Sequence, residues 1–166
     1  MNDLRGLISK YRSRGVVPDT NILLLEVVGA CHPKRVESFK RTRQFTLFDF
    51  DLLNQFLGRF VRIVTTPNIM SEVSNMLKQL LDHEARQAHQ LLTSRLEVLD
   101  ERFVSTSTAA NDTAFTRLGV TDAVLVWLAK QGMLVVTDDV RLRDRIWSLG
   151  LDCLNFNNIR QGPWTH

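Results

Sequence analysis

The stretch DAVLVWLAKQGMLVVTDD, Asp122 to Asp139, decides the fold. Asp122 to Gln131 is apolar on nearly every side, which predicts a buried helix, and Gly132 ends it. Leu134, Val135 and Val136 follow as a strand with no polar face. Strands of that kind belong to parallel sheets buried on both sides. Downstream, Leu142, Ile146 and Leu149 mark another helix, closed by Gly150. Cys153, Leu154 and Phe156 suggest a last strand. Alternating strands and helices predict an α/β fold: a parallel sheet covered by helices on both faces.

Upstream, Val16 and Val17 form a short strand that stops at Pro18-Asp19. A helical run follows, with Ile22, Leu25 and Val28 on one face, and Leu47 to Gly58 reads as another helix. Val61 to Thr65 is a second, β-branched strand. Thr66 and Pro67 have the form of an N-cap and a first helical residue. Ile69, Met70, Val73, Met76, Leu77, Leu80 and Leu81 then recur at helical spacing. His83 to Leu96 predicts a helix and Glu97 to Asp100 a short strand. Gly29 to Lys34 and Ser105 to Thr108 read as loops, and Gln161 to His166 as a C-terminal tail.

A length of 166 residues suits one domain, expected over residues 1–160 ahead of the tail. With 44% hydrophobic and 23% charged residues, the chain has the balance of a globular protein and not of a disordered one. No apolar run approaches the roughly 20 residues that cross a bilayer. Asp3 and Arg5 interrupt Met1 to Lys10, so that segment has no signal-peptide core, and the cytoplasm is the expected location. Cys31 and Cys153 form no CxxC pair, which argues against a disulfide framework or a zinc site. The net charge of +3 and pI near 9.2 admit a polyanionic partner without demanding one.

In an open α/β sheet, ligands sit beyond the carboxyl ends of the strands. Asp19 directly follows one strand, and Asp138 and Asp139 follow another and its Thr137. Asp122 opens the buried helix. Glu72 borders the apolar stripe of its own helix. Asp19 could instead open a turn, and Asp122 and Asp139 could be ordinary helix caps. Glu72 lies past the first turn and has no such role. Several acids beside core residues are costly unless a cation is shared among them. Mg²⁺ and Mn²⁺ prefer carboxylate oxygens, and a site without histidine or cysteine fits that preference.

Four segments resemble the PIN-domain nucleases. Val17-Pro18-Asp19-Thr20-Asn21-Ile22-Leu23 is similar to the family's opening strand and first acid. Thr66-Pro67-Asn68-Ile69-Met70-Ser71-Glu72-Val73 resembles the helix carrying the second acid. Gly119-Val120-Thr121-Asp122-Ala123 resembles the third motif, and Val135-Val136-Thr137-Asp138-Asp139 the fourth. The motifs occur in family order over most of the chain. The resemblance implies a three-layer α/β/α sandwich and Mg²⁺- or Mn²⁺-dependent cleavage of RNA. It makes Asp19, Glu72, Asp122 and Asp139 the metal ligands and catalytic residues. It assigns Thr20, Asn21 and Thr137 to orienting roles. Its fourth acid stands two residues after the threonine, which favours Asp139 over Asp138 without deciding between them, and Asp138 is an extra acid that could serve as an outer partner. Toxin ribonucleases of toxin–antitoxin pairs are the most natural subgroup for a small chain. The segment Gly29 to Phe60 is longer than compact members need.

Lys34, Arg35, Lys40, Arg41 and Arg43, with Phe39 and Phe45, could grip a phosphate backbone and a base. Equally, they could form a solvated surface over two core phenylalanines. Arg141 stands close enough to the fourth acid to touch substrate. Leu47, Phe48 and Phe50 are expected to be exposed and to serve a homodimer or an inhibitory protein partner such as an antitoxin. His32, His83, His89 and His166 lack metal spacing and read as surface residues. Aspartyl-phosphatase chemistry wants an acid two residues after Asp19, where Asn21 stands. A non-catalytic binding module and a DNA-directed nuclease of the same fold remain as alternatives.

Overall fold

Five short parallel strands set the frame, and the computed structural model describes residues 4–162. In chain order the elements are α1 (Leu4–Tyr11), β1 (Val16–Pro18), α2 (Thr20–Cys31), a 3-10 turn (Pro33–Arg35) and α3 (Leu47–Leu57). Then come β2 (Val64–Thr65), α4 (Pro67–Leu77), α5 (Asp82–Arg95), β3 (Asp100–Glu101), α6 (Thr106–Ala109) and α7 (Ala114–Leu118). The chain continues through α8 (Val120–Lys130), β4 (Leu134–Thr137), α9 (Val140–Ser148), β5 (Cys153–Asn155) and α10 (Phe156–Arg160).

Strands β1, β4 and β5 form one parallel sheet in the order β1-β4-β5, with Val17 opposite Val135 and Val136 opposite Leu154. Strands β2 and β3 form a second parallel pair. A parallel bridge between Val16 and Ile63 lays β2 alongside β1. The carboxyl ends therefore all face the same way. Every residue of β1 and β4 is buried, as the absence of a polar face predicts.

Helix α2 explains much of the core. Its apolar residues face inward all round, because α3, α4 and α5 pack against it. Ile22, Leu25 and Val28 are buried, and so are Leu23, Leu24 and Val27. At Gly29 a Cβ atom would stand 2.2 Å from the Phe50 ring, so only glycine admits this approach of α3. Phe50 is therefore half-buried, against the expectation of exposure, while Leu47 and Phe48 are exposed.

Other boundaries move for local reasons. Thr66 caps α4 and Pro67 opens it, as read from sequence, but the helix stops at Leu77, leaving Leu80 and Leu81 in the following turn. The strand expected at Glu97 to Asp100 lies at Asp100–Glu101 instead, because Glu97 to Leu99 form a turn that closes on Arg95 and Ser94. Phe156 belongs to α10 and not to the last strand, since the Asn155 side chain accepts from the Asn157 N–H and starts a helix. Gly29 to Cys31 are helical, and Ser105 caps α6 where a loop was expected. Of the expected tail, residues 163–166 lie outside the described residues. No helix among the described residues is long and apolar enough to cross a membrane.

Candidate functional site

Asp19 is the hinge of the site. Its N–H donates to the Val136 carbonyl at 2.9 Å, which ties the end of β1 to β4. Its Oδ1 accepts from the Ile22 N–H at 2.9 Å and caps α2. The capping alternative is thus real, yet it uses only part of the carboxyl group. Asp19 is 6% exposed. Burial pushes its carboxyl up to about 7, and the charges of Asp138 and Asp122 add to this. The Thr137 hydroxyl and the Ile22 N–H oppose the rise.

Glu72 is brought in from α4 and held at both oxygens. Thr20 donates to Oε2 at 2.7 Å, and Thr121 donates to Oε1. Asn21 donates to Asp138 Oδ1 at 3.0 Å. Asp122 stands in the first turn of α8, where Gly119 turns the chain at a φ of 102°. Burial, followed by the charges of Asp139 and Glu72, pushes the Asp122 carboxyl up to about 6, with Arg141 opposing. Asp139 caps α9 by accepting from the Arg141 N–H at 2.7 Å, and its own N–H donates to Thr137 Oγ1 at 2.9 Å. The Arg141 guanidinium reaches Asp139 at 3.3 Å from a largely exposed position.

Asp19, Glu72, Asp122, Asp138 and Asp139 thus share one electrostatic environment at the carboxyl edge of the sheet. Oxygens of Asp19, Glu72, Asp138 and Asp139 are held by hydroxyls, an amide and backbone N–H groups, and among the described residues no three acidic, histidine or cysteine side chains form a group that could hold a metal ion. The donor chemistry suits a hard cation. No protein family matches the sequence, and no curated protein is similar to it.

Three residues at this edge have roles that the sequence does not show. Thr121, beside Asp122, clamps Glu72. Asn155, at the end of β5 opposite Thr137, has a buried amide nitrogen without a partner. Thr65 Oγ1, at the end of β2, is likewise buried and unpartnered. Buried polar groups of that kind are rare and mark an edge whose polar capacity is unused.

The basic segment sits differently. It begins beyond Cys31, the far end of a 12-residue helix that starts beside Asp19, a span of about 18 Å. Arg35 is paired with Glu84 at 2.8 Å, and Arg41 bonds Gln79 at 3.0 Å. Lys34, Lys40 and Arg43 are exposed, whereas Phe39 and Phe45 are core residues. His89 bonds Ser74 and the Ala85 carbonyl, and His32 lies 3.0 Å from the Glu84 carbonyl, so both are half-buried packing residues and not surface ones. A groove of about 610 Å³ lies elsewhere, between α1 and α3, and none of the acids lines it.

Proposed function

We propose that this chain is a divalent-metal-dependent nuclease of PIN-like, three-layer α/β/α architecture that hydrolyses phosphodiester bonds in RNA. The supporting observation is the meeting of buried Asp19 and half-buried Asp122 with acids from separate segments, which together with desolvation push their carboxyls to about 7 and 6. Such convergence has a cost that a structural role does not explain, and it is the usual mark of a site.

Asp19, Glu72, Asp122 and Asp139 would hold Mg²⁺ or Mn²⁺, with Thr20, Thr121, Asn21 and Thr137 fixing the carboxylates. The bound cation supplies charge neutralisation at the phosphate and acidifies water. The chain's own part is to bring the acids together, orient them and release their protons on binding, so cation affinity rises with pH. Arg141, exposed beside Asp139, is placed to meet a phosphate. Leu47 and Phe48, exposed at the start of α3, are where a second copy or an antitoxin-like inhibitor would dock.

The test is a thermal melt with and without Mn²⁺, joined to a cleavage assay on RNA, for wild type and Asp19→Asn. Wild type should melt higher with Mn²⁺ and cleave. The variant should stay folded and lose both the shift and the activity. The nuclease reading fails if wild type shows no shift or if the variant cleaves as well. A metal shift without cleavage of RNA or DNA would select the binding-module alternative.

A further inference from the structure

We infer that the groove between α1 and α3 binds an amphiphilic anion: an unbranched acyl chain of about ten carbons with a carboxylate or phosphate head. The site is separate from the acid edge, and the inference does not depend on the nuclease reading. The groove encloses about 610 Å³, within the range of small-molecule sites. Leu4, Ile8 and Leu52 line it half-buried, and Phe56 and Ile159 line it at 5% and 2% exposure. One end differs. The Val61 N–H donates to the Arg12 carbonyl at 2.9 Å, which brings the chain leaving α3 against the end of α1. Arg12 and Arg59, each just past its helix, therefore line the same end of the groove.

A single exposed arginine is ordinary and needs no ligand. Here two share one groove end, neither guanidinium has a hydrogen bond or ion pair among the described residues, and no acidic side chain lines the groove. Cations at one end and an apolar remainder complement an anionic head and an apolar tail, and a guanidinium fits carboxylate and phosphate alike. The walls are fixed without a ligand. Lys10 and Tyr11 bond Asp152 at 2.6 and 2.9 Å, and Arg160 of α10 bonds Asp49 of α3 at 2.8 Å. A preformed site loses less affinity to ordering. From Leu4 to Arg12 the helix rises about 12 Å. An extended chain gains about 1.25 Å per carbon, which sets its length near ten. A peptide helix of about 12 to 15 residues would span about 18–22 Å, longer than this groove.

The experiment is titration calorimetry of the full-length protein with decanoate and with decyl phosphate, each below its micelle concentration, with hexanoate and decanol as controls. At least one of the two anions should bind in a single equivalent and raise the melting temperature. The stronger of the two identifies the head group. Hexanoate, four methylenes shorter, should bind more than about tenfold more weakly than decanoate, since each buried methylene is worth about fourfold. The double variant Arg12→Gln, Arg59→Gln should keep the wild-type melting temperature, because neither side chain has a partner in the fold. It should weaken anion binding about ten- to a hundredfold and leave decanol binding unchanged. Ile8→Gln should weaken the anions and decanol alike. No saturable binding of either anion, a lowered melting temperature, or equal binding by the double variant would overturn the site. So would a dimer of the ligand-free protein that Ile8→Gln abolishes, which would give the groove to a second copy. Cleavage and the Asp19→Asn melts are scored separately, so this site and the nuclease reading can each fail alone.

Discussion

Two buried aspartates in this molecule, Asp112 and Asp19, are resolved in opposite ways. Asp112 is 8% exposed, as Asp19 nearly is, but it accepts from Lys130 at 2.7 Å, from Arg145 at 2.9 Å and from the Ala114 N–H at 2.8 Å. Burial alone would raise its carboxyl; Lys130, the Ala114 N–H and Arg145 bring it down to about 2 instead. At the carboxyl edge burial, followed by the charges of Asp138 and Asp122, raises the Asp19 carboxyl to about 7. Burial is common to both, and the partners differ: Lys130 and Arg145 neutralise Asp112, whereas the charges that act on Asp19 are carboxylates. Under the proposed function a bound cation would neutralise that second group.

The strongest way to break this comparison is to remove one charge from each cluster. Asp112→Asn strands Lys130 and Arg145, whose side chains are 42% and 28% exposed, so water recovers part of the loss. We expect a cost of about 2 kcal/mol. For a chain of this size that lowers the melting temperature by roughly 4–8 °C. Asp19→Asn keeps a cap acceptor for the Ile22 N–H and removes a repelled charge. Metal-free at pH 8, it should melt at or above wild type. If calorimetry finds both variants equally destabilised, the two clusters are the same kind of thing.

A pH series sharpens the contrast, because the signs are opposite. The folded Asp19 and Asp122 carboxyls, at about 7 and 6, lie above the ordinary value of 3.8. Between about 4 and 7 the folded protein thus holds more protons than the unfolded chain, and this contribution to stability falls as pH rises. Asp112, held at about 2, contributes stability that is complete above about 4 and is lost as pH falls toward 2. Metal-free wild type should therefore lose melting temperature from pH 4 to 7 relative to Asp19→Asn. Saturating Mn²⁺ should flatten that difference by displacing the protons. A difference that grows in the other direction would mean that Asp19 is compensated after all.

The carboxyl-edge acids were legible because each follows a strand or sits on a strongly patterned helix, so sequence position alone placed them. The resemblance of four segments ordered them. What could not be read depended on how separate elements meet. Nothing local says that Phe50 is half-buried, since that follows from Gly29, which lets α3 approach α2. Asp112 has no motif; its partners lie 18 and 33 residues away on α8 and α9. Helices α6 and α7 have four and five residues, too few to show a period. The basic run from Lys34 to Arg43 was legible as charge, but its pairing with Glu84 and Gln79 was not.

The smallest expected effect probes how the uncompensated cluster is held. Thr121 lies 49 residues from Glu72, and its hydroxyl joins α8 to α4. Thr20 bonds the other oxygen, so removing one hydroxyl leaves Glu72 partly fixed. Thr121→Val is nearly isosteric and should cost about 1 kcal/mol of stability. Its informative effect lies in the metal titration. A ligand freed to rotate loses orientation before it loses charge, and such changes weaken metal affinity by about 10- to 100-fold. The Mn²⁺ concentration needed for half of the thermal shift should rise within that range, while the shift at saturation stays near wild type. Thr121→Ser restores the donor and should restore the titration. If Thr121→Val moves the melting temperature but leaves the titration midpoint alone, the Thr121 hydroxyl serves the fold alone, as the partners of Asp112 do. Glu72 would then lose its place among the proposed metal ligands.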